Sequence, residues 1–185
     1  MWKCFWDWLA TLPQGSASFV GTLTGSTLGL IALLLGALFN AHLNRKRDDE
    51  LRKKEARALA VALRAELAGK SRNLLDNAKR LEEQKGEGHF LVPDIAQSLR
   101  IMPSLTDKLG LLDEETIVAV LDAYVVMEQY CERLIISGGK LIDGLPGNRR
   151  LVSVDPTLFN RLRGGNLGVN DVIEKAIKRL DSYLR

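Results

Sequence analysis

Hydrophobic and polar residues divide this chain at Arg45. Between Asp7 and Arg45 no residue carries a formal charge, whereas beyond it charges recur every few residues. Within the uncharged part, Ser18 to Phe39 reads SFVGTLTGSTLGLIALLLGALF. As a helix these 22 residues span roughly 33 Å at about 1.5 Å per residue. That matches a hydrocarbon core about 30 Å thick, so the segment is predicted to be a transmembrane helix. From Asn40 to about Lys85 there is no proline, and Gly69 is the only glycine. Leu59, Leu63, Leu67, Leu74, Ala78 and Leu81 recur mostly at three- and four-residue steps among charged residues. This predicts a long amphipathic helix continuing from the span.

The helix is expected to stop near Lys85-Gly86-Glu87-Gly88. A short element is predicted from Pro93 to about Met102, broken by Pro103, with a turn leading to Gly110. A central helix then starts at Asp113, a good N-cap, with Glu114 and Glu115 at its positive end and Gly138 as its C′ residue. Its apolar residues, Ile117, Leu121, Tyr124, Val125, Cys131, Leu134 and Ile135, go round most of the circumference. That predicts a helix with neighbours on several sides. Residues 138–156 read as a long loop that can hold extended pieces. Two short helices should follow, one from Pro156 to about Arg163 and one after Asn170 as a cap. The second carries the stripe Val172, Ile173, Ala176, Ile177, Leu180 and Leu184.

The predicted fold class is therefore all-α: one transmembrane helix continuing into a long amphipathic helix, plus a small cytoplasmic helical hairpin or bundle. The expected divisions are an N-terminal segment at 1–15, the span at 18–39, a juxtamembrane helix at 40–85 and a cytoplasmic helical domain at 86–185. No internal repeat is visible.

Flanking residues set the expected sidedness. Arg45, Lys46, Arg47, Arg52, Lys53 and Lys54 follow the span, while only Lys3, offset by Asp7, precedes it. The positive-inside rule puts the basic side in the cytoplasm and the N-terminus outside. The segment is too long, and its N-terminal flank too weakly positive, for a cleaved signal peptide. Within the span, Gly21, Gly25, Gly29, Ala32 and Gly36 fall 4, 4, 3 and 4 apart, on one helix face. In lipid, such a small-residue face lets a second helix pack closely. Thr22, Thr24, Ser26 and Thr27 can add hydrogen bonds there. Trp2, Phe5, Trp6 and Leu9 have the spacing of one apolar face, and Trp favours the headgroup region. They predict an interfacial anchor on the outer surface, separated from the span by Pro13 and Gly15.

The net charge of +3 hides alternating blocks: +5 over 45–85, −6 over 86–144 and +4 over 145–185. Opposite signs suggest that the central helix folds back antiparallel onto the long one. Cys4 and Cys131 make no disulfide framework. Cys4 falls on the oxidising side, where a pair could join two copies, but a free thiol is the simpler expectation.

Catalytic and metal signatures are missing from the sequence. His42 and His89 are isolated, and neither belongs to an HExxH spacing. Gly138-Gly139-Lys140 and Gly164-Gly165-Asn166 do not match a phosphate loop and read as turns and caps. Arg149-Arg150 and Arg161 with Arg163 form a basic surface without the aromatic platform of a nucleic-acid site. No catalytic residue, metal ligand, cofactor, nucleic acid or small-molecule substrate is expected. The expected partners are the bilayer and another membrane helix, either a copy of this one or part of a larger complex.

Two segments, AVALRAELAGKSRNLL at 60–75 and MPSLTDKLGLLDEETIVAVLDAYVVMEQY at 102–130, resemble a broad group of uncharacterised bacterial proteins. These have one N-terminal span, a charged juxtamembrane helix and a "KLGLL…EE" helix start. The resemblance covers roughly residues 18–137. It implies a bacterial inner membrane, with a single pass and a cytoplasmic C-terminal domain, and it implies no reaction. The expected role is non-enzymatic, a scaffold or accessory subunit. A membrane-tethered regulatory or defence protein that homo-oligomerises and responds to a signal is the alternative.

Overall fold

The computed structural model describes residues 13–83, 88–145 and 149–184, together with Lys3, Asp7, Trp8, Ala10 and Thr11. The chain divides into two compact units, Met1–Leu51 and Arg52–Arg185. The structure is predominantly helical, as expected. Helix α1 is assigned over Gln14–Glu83.

In the first unit the helix is exposed on every side. Ten large apolar side chains between Phe19 and Phe39 face outward. Thr22, Thr24, Ser26 and Thr27 each donate their hydroxyl to the carbonyl four residues back, at 2.8–3.0 Å. Helical residues of this kind satisfy themselves without water.

The second unit contains the hydrophobic core. Leu59, Leu63, Leu67, Leu74 and Leu81 of α1 are buried in it, so the stripe seen in the sequence is the wall on which the domain is built. Beyond it come strand β1 (Phe90–Pro93), a 3-10 turn (Ala96–Ser98), the single-turn helix α2 (Ile101–Ser104) and a second 3-10 turn (Thr106–Leu111). Helix α3 (Glu114–Ile136), strands β2 (Lys140–Leu145) and β3 (Arg149–Val154), and helix α4 (Phe159–Leu180) complete the order.

Helix α3 begins and ends where its sequence predicts. The Asp113 carboxylate accepts from the Thr116 backbone N–H at 2.9 Å. At the other end Gly138 has φ +112°, and Gly139 N–H reaches the Leu134 carbonyl at 2.9 Å, closing a Schellman turn. Gly139 is tight as well. A Cβ there would lie 2.7 Å from Val152 Cγ1 and 3.0 Å from the Leu134 carbonyl oxygen.

Three expectations are corrected. First, the domain is not all-α. The strands form an antiparallel sheet in the order β1-β3-β2, pairing Val92 with Val152 and Leu141 with Val152. Central strand β3 buries Val152 and Val154 against the helices, while Phe90 stacks edge-on to Phe159 with centroids 6.3 Å apart. Second, one helix occupies 159–180 instead of two short ones, with Gly164 and Gly165 inside it and Asn170 buried rather than capping. Third, the helix lying antiparallel to α1 is α4. Arg64 meets Asp181 at 2.5 Å, Ser71 meets Glu174 at 2.9 Å and Glu82 meets Arg163 at 3.0 Å. Helix α3 is in turn antiparallel to α4, through Asp113 with Tyr183, Glu115 with Arg179 and Tyr130 with Asn166. It therefore runs in the same direction as α1. The expected neighbours of α3 on several sides are present, namely α4, strand β3 and, through Glu66, α1. Helix α3 buries Val120, Ala123, Met127 and Cys131 but exposes Val118, Leu121 and Val125.

Tyr183 closes the far end of this arrangement. Its hydroxyl donates to the Asp113 carboxylate at 2.6 Å and accepts the Asp113 backbone N–H at 2.6 Å. With the Thr116 bonds, this holds the Asp113 carboxyl down to about 2. A carboxyl depressed in the folded state stabilises the fold above its ordinary value, and that contribution is lost as pH falls through the folded value. Melting temperature in detergent should therefore drop between pH 4 and pH 2 more steeply for the native chain than for Asp113→Asn or Tyr183→Phe. Equal slopes in thermal melts would remove this latch.

Candidate functional site

The residues singled out in the sequence fall into three groups. Gly21, Gly25, Gly29 and Gly36 lie along α1, and a Cβ on any of them would meet nothing within 4 Å; Ala32 on the same face is exposed. Arg45, Lys46, Arg47, Arg52, Lys53 and Lys54 are all exposed on the same helix. The anchor residues Trp2, Phe5, Trp6 and Leu9, together with Cys4, lie outside the described residues. His42 is exposed, and among the described residues no three His, Cys, Asp or Glu side chains are grouped to hold a metal. Cys131 is buried, and burial pushes its thiol up to about 12, with the charge of Asp94 adding to the effect. It is therefore a neutral packing residue at physiological pH.

The arrangement that the sequence did not reveal is a groove of about 540 Å³ between α3 and α4. Val126, Tyr130 and Leu134 supply one wall, while Gly165, Val169 and Val172 supply the other. The antiparallel register places Val126 beside Val172 at one end and Arg133 beside Arg161 at the other. Neither guanidinium forms an ion pair among the described residues, and Arg133 is bonded only to Gln129 of its own helix, at 2.8 Å.

The floor depends on glycine. Gly165 and Gly168 both line the groove from mid-helix positions. Mid-helix glycine costs about 1 kcal/mol relative to alanine. Internal packing does not require it here: a Cβ on Gly168 would meet nothing within 4 Å, and one on Gly165 only the Tyr130 ring, at 4.0 Å. Behind the floor, Tyr130 donates its hydroxyl to Asn166 Oδ1. Burial raises the Tyr130 phenol, so it remains a donor. Asn166 Nδ2 and Asn170 Oδ1, a donor and an acceptor one helical turn apart, are buried with no hydrogen-bond partner among the described residues.

A second, more polar hollow of about 280 Å³ lies between α1 and the β1–α2 connection. There Lys70 donates to Ser98 Oγ at 2.5 Å, and burial lowers its ammonium pKa against the opposing pull of Glu66. Next to it, Glu66 accepts from the backbone N–H groups of Arg100 and Ile101 at 2.8 and 3.2 Å and from the Tyr124 hydroxyl. These bonds fix the segment joining β1 to α3. They are structural.

No protein-family model matches this chain, and no curated protein and no solved structure is similar enough to match it.

The two kinds of glycine should respond oppositely to alanine. Gly139→Ala should destabilise the domain by about 1–3 kcal/mol through overpacking against Val152. Gly168→Ala should be neutral or stabilising by up to about 1 kcal/mol. Chemical denaturation of both variants checks this pair.

Proposed function

We propose that this chain is a non-enzymatic, single-pass protein of a bacterial inner membrane that works as a scaffold or accessory subunit. It docks through its glycine-lined span and through its cytoplasmic helices. One observation supports this above all: the helix between Phe19 and Phe39 exposes ten large apolar side chains, and none of the described residues covers them. Left in water, that surface would forgo on the order of 20 kcal/mol, at roughly 2 kcal/mol per side chain. Lipid or other spans must supply the cover. The length and composition of the helix suit a bilayer, and its hydroxyls are satisfied internally, as lipid demands.

The exposed cluster from Arg45 to Lys54 favours a cytoplasmic face for Arg52–Arg185 and an outward N-terminus. Once in lipid, the face of Gly21, Gly25, Gly29, Ala32 and Gly36 is the natural seat for a second helix. The α3–α4 groove favours the alternative role within the same architecture: a membrane-tethered regulatory or defence protein that responds to a signal.

Carbonate washing of cell envelopes should leave the chain in the membrane pellet, and protease added to spheroplasts should spare everything after Arg45. Release by carbonate overturns the span, and digestion beyond Arg45 inverts the sidedness. Replacing Gly25 and Gly29 by Leu should reduce helix-to-helix crosslinking in membranes several-fold. Unchanged crosslinking removes the glycine face as a contact.

A further inference from the structure

We propose that the α3–α4 groove is a binding site for a single-tailed amphiphile with an anionic head, of which a long-chain carboxylate is the simplest. The inference does not rest on the membrane span. It rests on the polarity of the groove itself. One end is built from Val126 and Val172 and the other from Arg133 and Arg161, separated by about 10 Å along α3 and about 16 Å along α4. The volume, about 540 Å³, is that of a small-ligand site rather than a packing defect.

Charge complementarity selects the head. The two guanidinium groups stand on facing walls, and no carboxylate in the chain pairs with either among the described residues. Arginine presents a planar fork of donors that matches a carboxylate in two parallel bonds. Arg64, Arg163 and Arg179 are held by Asp181, Glu82 and Glu115, so their charges are already answered within the chain. Arg133 and Arg161 offer both their charges to a common space beside an apolar channel.

The glycines select the tail. A hydrocarbon chain needs a continuous smooth floor, and Gly165 and Gly168 leave α4 bare over one turn. Since no neighbouring side chain fills that space, their helix penalty has no return within the folded chain. A tail lying over Gly168 would use the room. Tyr130 supports the opposite wall with its ring, while its hydroxyl is held behind by Asn166.

The test uses the full chain in lipid nanodiscs and a hexadecanoate carrying a diazirine in its tail. After irradiation, labelled peptides should map to 126–137 and 161–172. Hexadecanoate should compete and hexadecanol should not; competition by hexadecyl phosphate would also support an anionic head and would point to a phospholipid-derived source. Arg133→Gln combined with Arg161→Gln should reduce groove labelling by about tenfold, the effect of losing a charge-assisted bond. Gly168→Leu should do the same by filling the floor, while its melting temperature equals or exceeds that of the native chain, which separates lost binding from lost folding. Labelling confined to 18–39, equal competition by the alcohol, or groove labelling indifferent to the arginines would overturn the proposal. So would crosslinks showing a second copy of the chain seated in the groove.

Discussion

The leucine stripe of α1 is the constraint from which the Arg52–Arg185 unit is built. Leu59, Leu63, Leu67, Leu74 and Leu81 fall on one side of a helix whose other positions are mostly charged. Without a cover, that side would remain as apolar surface in water. The cover comes from α4, α3 and a small sheet, elements that have no other common wall. The two helices are then locked at their edges by polar contacts with α1: Ser71 to Glu174 and Arg64 to Asp181 for α4, Glu66 to Tyr124 for α3. The half-exposed pairs add little energy on their own, about 0–1 kcal/mol each. Their contribution is to fix which helix lies where, after burial has decided that something must lie there.

What could be read from the sequence was local. The stripe of α1, the Asp113 cap and the Gly138 turn each depend on residues within one or two turns of one another, and the structure has all three. The sheet was not legible. Its strands are four to six residues long, and β1 pairs with β3 across about sixty residues, a contact that leaves no local mark. Strand β1 also ends in proline, which suits an edge but not a confident strand pattern. Charge blocks gave α3 the wrong direction along α1 and missed α4 as the antiparallel neighbour. They register that opposite charges must meet, yet they cannot tell a parallel neighbour from an antiparallel one.

Glycine accounts for the other misreading, and the reason is physical. The same residue does two unrelated things in this domain. At 138 it supplies a positive φ and at 139 it avoids a clash, so it ends a helix and admits a strand. At 164, 165 and 168 it sits in regular helix with space above it. From sequence alone both look like punctuation, because propensity favours the first use. The structure tells them apart: tertiary packing carries α4 through the glycines, with Leu162, Val169 and Ile173 buried on either side of the gap. The groove was hidden for the same reason. Its floor was read as a turn, and a turn has no face.

The walls of that groove are two helices tied to α1 by hydrogen bonds and an ion pair. Anything lodged between α3 and α4 and forcing them apart acts against the Tyr130–Asn166 bond first. It then acts against the bonds that run from α3 and α4 to Glu66, Ser71 and Arg64. The Tyr124 hydroxyl cannot relieve such a strain by ionising, since burial and the neighbouring Glu66 carboxylate both hold its proton. It can keep Glu66 or lose it. Losing it would also free one carboxylate from the backbone of Arg100 and Ile101, where it stands in for the missing partners of a helix start. The fold therefore offers two mechanical options to an occupant of the groove. Either the occupant fits the space the glycines leave and changes nothing, or it exceeds that space and its effect arrives at the part of α1 that carries Arg64, Glu66 and Ser71.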